Sequence, residues 1–358
     1  MLRENPHLSV LVAFATAFTI IIIGTAYSQI IELFPTGGGG YVVASHLISP
    51  TVGMISGCAL RIDYVLTISL SISSGADAIF SFLPPTWMPA RFWFAVGGVL
   101  LLTAMNMRGV KESVLPLIPI FLFFVASHVF AIAYAFLANA GHVVDVPQQT
   151  WGEAHKVASQ TGLFGLLFVI MHAYSMGAGT YTGIEAVSNG LPILRDPKVR
   201  TGKRTMLYMG GSLIFMVIGL MFAYILTGAT FVEGKTLNAV MLERISAAWN
   251  PQVGHTFVFL TLFSEGAILL VAAQTGFLDG PRVLSNMALD RWFPNRFAML
   301  SDRLVTQNGV LLMGGAAMAT IVLSNASVGY LLVLYSITVF ITFSLSQFGM
   351  VRHWWKVR

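Results

Sequence analysis

The sequence has little charge and almost no cysteine. Only 10% of its 358 residues are Asp, Glu, Lys or Arg, against roughly 25% in an ordinary soluble domain. A water-exposed fold covers itself with charge, so a chain this poor in charge and 56% hydrophobic has to be covered by lipid. The single cysteine, Cys58, excludes an internal disulfide and any cysteine-rich metal centre. No zinc-ligand spacing, nucleophile elbow or nucleic-acid motif is present. An enzyme is therefore the least supported class, and no nucleic-acid partner is expected.

What the chain does have is long apolar runs. A membrane-crossing helix needs about 20 mostly apolar residues. Runs near that length fall at about Leu8–Leu33, Pro50–Leu83, Phe92–Met107, Val114–Ala138 and Leu163–Asn189. Four more follow at about Met206–Ala229, Thr256–Leu284, Gly309–Leu323 and Val328–Met350. The fold class is thus all-α, a polytopic bundle of about nine helices in one transmembrane domain over residues 1–358. Lys and Arg stay on the cytoplasmic side. With the N-terminus outside, fourteen of them fall in inside loops and at the C-terminus: Arg108 and Lys111; Arg195, Lys198, Arg200, Lys203 and Arg204; Arg282, Arg291, Arg296 and Arg303; Arg352, Lys356 and Arg358. Only Arg3, Arg91, Lys156, Lys235 and Arg244 face outward, and Arg61 lies within a run. The expectation is a multi-pass plasma-membrane protein with a cytoplasmic C-terminus. An outside start without a signal peptide or strong positive flank has no obvious means of insertion, and a helix upstream of Leu8 would supply one.

The fifth run differs from the rest. Gly177, Gly179 and Gly183 interrupt it, with Ser, Thr and Tyr hydroxyls interleaved, and it ends in Glu185 and Asn189. A glycine-broken helix at membrane depth is tolerated where its freed backbone lines a cavity or meets protein, and in transporters such breaks mark the substrate or ion site. A glycine-lined helix contact without a break is the alternative. Four runs precede this one and four follow it. Two five-helix halves, each opening with a broken helix, have that count when the first broken helix is missing.

Four stretches carry a family resemblance. They are Gly37-Gly-Gly-Gly-Tyr41; Asp63-Tyr-Val-Leu-Thr67 running through Ser71 to Asp77; Thr182-Gly-Ile-Glu185-Ala-Val-Ser-Asn189; and Ala272-Ala-Gln-Thr-Gly276-Phe with Asp302-Arg303, Tyr335 and Ser344-Leu-Ser-Gln347. Through them the chain resembles the amino acid–polyamine–organocation superfamily, and within it the KimA-like potassium–proton symporters. The resemblance implies a LeuT-like inverted-repeat bundle of twelve helices, of which this chain would supply the second to fifth at about residues 8–138 and the sixth to tenth at about 163–350. It implies an ion site to which Asp63, Tyr64, Thr67 and Ser71 contribute, with Thr182, Glu185 and Tyr335, and potassium held at Asp63, Tyr64 and Thr67. The branch's first helix supplies a further carboxylate and tyrosine that have no counterpart here.

Each residue also has a reading of its own. Asp63 in an apolar helix costs about 2.5–3.5 kcal/mol on insertion scales, so it faces the bundle interior; it shares a helix face with Thr67, or pairs with Arg61. Glu185 carries a proton or binds a cation, or caps the helix that follows the break. Glu265 is a proton carrier, a ligand for a coupling ion or the partner of a basic group. His128 and His172 are shuttle candidates near neutral pH, although a lone helix histidine more often makes a structural hydrogen bond. The Gly37–Gly40 run lacks the GK[ST] of a phosphate loop and reads as a flexible re-entry turn. The Arg200–Arg204 cluster reads as an orientation signal with lipid-headgroup contact.

The function expected is secondary active uptake of potassium driven by the proton gradient, with no cofactor. Expected partners are a small cation or amino-acid substrate and the lipid bilayer, a homodimer being admitted. An amino-acid permease on the same scaffold is the alternative, and a non-transporting sensor or remnant the second.

Overall fold

The computed structural model describes residues 4–37, 39–109, 117–301 and 306–357. Arg3, Gly38, Lys111, Val114, Asp302, Arg303 and Arg358, all used in the sequence reading, lie outside the described residues. Among those described there is no strand, and nine helical spans are long and apolar enough to cross a membrane. Their main helices are α1 (Ser9–Leu33), α2 (Pro50–Phe80), α3 (Ala90–Arg108), α4 (Leu117–Ala138), α5 (Val146–Met176), α6 (Lys198–Leu226), α7 (Pro251–Leu289), α8 (Gln307–Ser324) and α9 (Val328–Val357). Short helices Gly40–Leu47, Ile184–Asn189 and Leu237–Ser246 sit between them.

Several helices run past the apolar runs that announce them. α5 begins at Val146, well before Leu163, and kinks at Gly162 (φ 75°, ψ 170°). α7 spans 39 residues, about 58 Å of helix against a hydrocarbon core of about 30 Å. Hydropathy marks what lies in lipid and misses polar turns that continue the same hydrogen-bond ladder beyond it.

The centre of the bundle is α2, 67% of whose apolar 18-residue stretch is buried against 11% for that of α6. It packs along α7 and against α9 and α8. Small residues set the α2–α7 distance: a Cβ on Gly276 would stand 2.6 Å from the Tyr64 carbonyl oxygen, and one on Gly75 would stand 3.1 Å from that of Gly266. Close approach through glycine is how membrane helices gain packing energy where lipid gives no hydrophobic drive. α1 packs on α6, and α4 on α6 and α7.

Candidate functional site

The chain after α5 does not continue as an α-helix. Residues Gly177–Tyr181 form a 3-10 turn, Thr182 is extended (φ −56°, ψ 132°) and Gly183 is left-handed (φ 90°). A non-glycine residue pays for that φ in backbone strain, so Gly183 permits the reversal. Gly177 has an ordinary negative φ and Gly179 lies within the 3-10 turn. Helix Ile184–Asn189 then restarts with Glu185 in its first turn and no side-chain hydrogen bond from its N-cap residue, Gly183. Glu185 Oε1 accepts from the backbone N–H of Gly40, at the start of helix Gly40–Leu47.

A buried cavity of about 20 Å³ lies at this break. Asp63, Tyr64 and Thr67 enter it from α2, Tyr181, Thr182, Gly183 and Glu185 from the break, Thr275 from α7, and Tyr335 from α9. Hydrogen bonds hold these groups in place. Tyr335 and Thr182 share a bond of 2.7 Å, and Thr182 donates to the Gly179 carbonyl at 2.8 Å. Thr338 donates to Asp63 Oδ1 at 3.3 Å. Asn189 donates to the Tyr64 hydroxyl at 2.6 Å, and the Asn189 carbonyl accepts from Arg282 at 2.8 Å. Asp63 and Glu185 are each 7% exposed, and among the described residues no basic side chain lines the cavity. Two carboxyl groups shut away from water are stable there when protonated or when a cation joins them.

Asp63, Tyr64, Thr67, Thr182, Glu185 and Tyr335 are thus gathered around one space. Ser71, one turn beyond Thr67 on α2, is buried but outside that lining. Asp63 does not pair with Arg61, which points at Cys58 Sγ (3.7 Å) and lies over the Phe293 ring at 4.1 Å. His172 is exposed on α5, stacked on Phe168. His128 and Glu265 meet each other elsewhere, with Nε2 and Oε2 4.0 Å apart. Glu265 lies ten residues before Thr275 on α7, about 15 Å along it.

Gly39 and Gly40 sit in close contact with Glu185. A Cβ on Gly39 would come within 2.7 Å of Glu185 Oε1, and one on Gly40 would stand 3.1 Å from Glu185 Oε1 and 2.9 Å from Ser346 Oγ. Glycine there lets the backbone press against the carboxylate. The same short helix carries Tyr41, whose hydroxyl donates to Asp290 just past the end of α7. Burial and that carboxylate hold the Tyr41 phenol above its ordinary range. Arg352 of α9 donates to the carbonyl of Ile48 at 2.6 Å, closing the helix's far end. Sequence reasoning assigned no role to Thr338 or Asn189, yet each sits one turn from a residue it did single out, Tyr335 and Glu185.

Fold and site together define an all-α, LeuT-like membrane bundle with a polar cavity at a broken helix. The amino acid permease family model matches residues 4–358. The chain belongs to that family, within the amino acid–polyamine–organocation superfamily. It is 32% identical over 351 residues to the potassium transporter KimA of Bacillus subtilis (strain 168), covering 97% of this chain and 55% of that protein. It is 25% identical over 190 residues to the low-affinity putrescine importer PlaP of Escherichia coli (strain K12), covering 51% of this chain and 38% of the importer. The chain therefore spans about half the length of the potassium transporter and less of the importer.

Proposed function

We propose that the chain forms the cation path of a secondary active transporter that takes up potassium with a proton. The observation that carries this reading is the charge and donor set at the cavity: two buried carboxyl groups with phenol and hydroxyl oxygens around one small space. Carboxylate, phenol and hydroxyl oxygens are the hard donors an alkali cation takes, and Asp63, Tyr64 and Thr67 would hold it.

Binding would neutralise buried acid charge, and Glu185 would accept or release a proton as its partner changes. The Gly40–Leu47 helix binds Glu185 at one end and latches onto Asp290 through Tyr41, so charge at the cavity would bias that latch. Rocking of one helix set against the other would then alternate access. The Lys and Arg bias supports a cytoplasmic C-terminus in a plasma-membrane protein, and α1–α9 would correspond to the second to tenth helices of the superfamily, forming one transporter domain. The similarity to a putrescine importer favours an organic amine as the second reading, because an ammonium group would also suit Asp63 and Glu185.

The test is growth of a potassium-uptake-deficient bacterium at limiting potassium, expressing the gene with its natural flanking sequence beside Asp63→Asn and Glu185→Gln. Rescue that both substitutions abolish, with protein still in the membrane, supports the reading. Failure of an inserted wild type to rescue overturns it and directs attention to labelled amines and amino acids.

A further inference from the structure

A second polar cluster is buried away from the cavity, where α4, α6, α7 and helix Leu237–Ser246 meet. Asn238 donates to Glu265 Oε1 at 3.0 Å, and Tyr224 of α6 donates to the Asn238 side-chain oxygen. From α4, His128 directs Nδ1 at the carbonyl oxygen of Phe124, 2.8 Å away. A carbonyl only accepts, so Nδ1 carries the hydrogen and Nε2 of the neutral ring presents a lone pair. Glu265 Oε2 lies 4.0 Å from that nitrogen. Among the described residues neither atom has a hydrogen-bond partner. His128 is 1% exposed, and the cluster is embedded among Ala131, Ala135, Ala223, Leu242 and Leu262.

Two acceptors therefore face each other inside an apolar packing unit. Each would leave a hydrogen-bonding deficit there, and an ionised Glu265 beside a neutral His128 would leave one uncompensated negative charge at membrane depth. One proton removes the charge and, once the two atoms close from 4.0 Å to hydrogen-bond distance, serves both acceptors: a carboxyl O–H donates to Nε2 or an imidazolium N–H donates to the carboxylate, and both forms are net neutral. The other ionisable groups nearby do not supply it. Tyr224 is committed to Asn238, and Tyr134 of α4 accepts from the Trp249 indole at 3.1 Å. Glu243 pairs with Lys235, and Arg244 donates to the carbonyls of Thr227 and Gly228. Asp77 of α2 pairs with Arg91 of α3, and His142 and His255 are exposed.

We propose that His128 and Glu265 form a one-proton site that fastens α4 to α7, separate from the cation cavity. Protons reach it from the end of the bundle that carries helix Leu237–Ser246. A pocket of about 360 Å³ opens there beside Glu243, His255 and Val258, and Val258 lies two turns before Glu265 on α7. Because Glu265 and Thr275 share α7, loading the site and shifting the cavity wall act on one helix. The site carries its proton whichever substrate the cavity takes.

The test is an infrared and ¹⁵N-histidine magnetic resonance titration of the protein in lipid bilayers, on wild type, Glu265→Gln and His128→Phe. The expected result is one proton in the pair at neutral pH, seen as a carboxylic C=O band or an imidazolium signal that disappears in Glu265→Gln. His128→Phe should shift the Glu265 titration. Glu265→Gln, whose amide can donate to Nε2, mimics the loaded site, so its melting temperature should not fall at the alkaline pH where that of wild type does. An ionised Glu265 beside a neutral His128 with bare Nε2 at pH 7 would overturn the proposal, as would titrations of the two residues that ignore each other's substitution.

Discussion

Replacing Gly183 with alanine isolates what the helix break contributes. The residue sits at φ 90°, and a Cβ built there has nothing within 4 Å. Steric overlap is thus removed from the outcome and only backbone strain remains. Holding an L-residue in the left-handed region costs about 1–2 kcal/mol. If the unbound variant relaxes out of this reversal and binding must restore it to present Thr182 and Glu185, that cost appears in binding as a factor of roughly 5–30. Gly179→Ala is the control: it lies in the 3-10 turn, and its Cβ would meet only the flexible end of Leu332 at 3.3 Å. A change there should stay within about 0.5 kcal/mol. The assay is rubidium displacement by potassium on purified protein in lipid, with folding checked by size and melting temperature. Wild-type affinity in Gly183→Ala, or an equal loss in Gly179→Ala, would refute the assignment of the break to Gly183.

Two further substitutions probe the cavity and its scaffold. Tyr335→Phe removes the hydroxyl that meets Thr182 at 2.7 Å; a net loss of about 1 kcal/mol predicts roughly fivefold weaker rubidium binding in an otherwise stable protein. Gly276→Ala places a methyl 2.6 Å from the Tyr64 carbonyl, and forcing α2 from α7 should cost about 1–3 kcal/mol, read as a lower melting temperature and reduced yield.

The spans were legible because lipid imposes a length and a composition on each of them, and composition alone separated this chain from soluble folds. Their ends were not. The polar stretch from Val146 to Gln160 continues a helix outside the apolar run, and only its backbone bonding reveals it. Helices Gly40–Leu47 and Ile184–Asn189 are too short to leave a periodic signal. At the site, Asp63 and Glu185 drew attention through the cost of a carboxylate in an apolar run, which is a property of the residue itself. The partners of Glu185 are matters of tertiary placement. Nothing local tells that Gly40, 145 residues earlier, donates to it, and so a glycine run that reads as slack is a close contact. The same holds for His128 and Glu265, which each resemble an isolated oddity until α4 and α7 bring them face to face.

The proposed function requires one alkali cation held by Asp63, Tyr64 and Thr67 beside the proton carrier Glu185. Its most direct test is equilibrium binding of rubidium to the full-length gene product in lipid, for wild type, Asp63→Asn and Glu185→Gln, with putrescine and neutral amino acids as competitors. The expected result is saturable rubidium binding that potassium displaces, that putrescine and amino acids leave untouched, and that either substitution abolishes in a folded protein. Binding of putrescine or an amino acid that alkali cations do not displace, or rubidium binding that survives both substitutions, would contradict it.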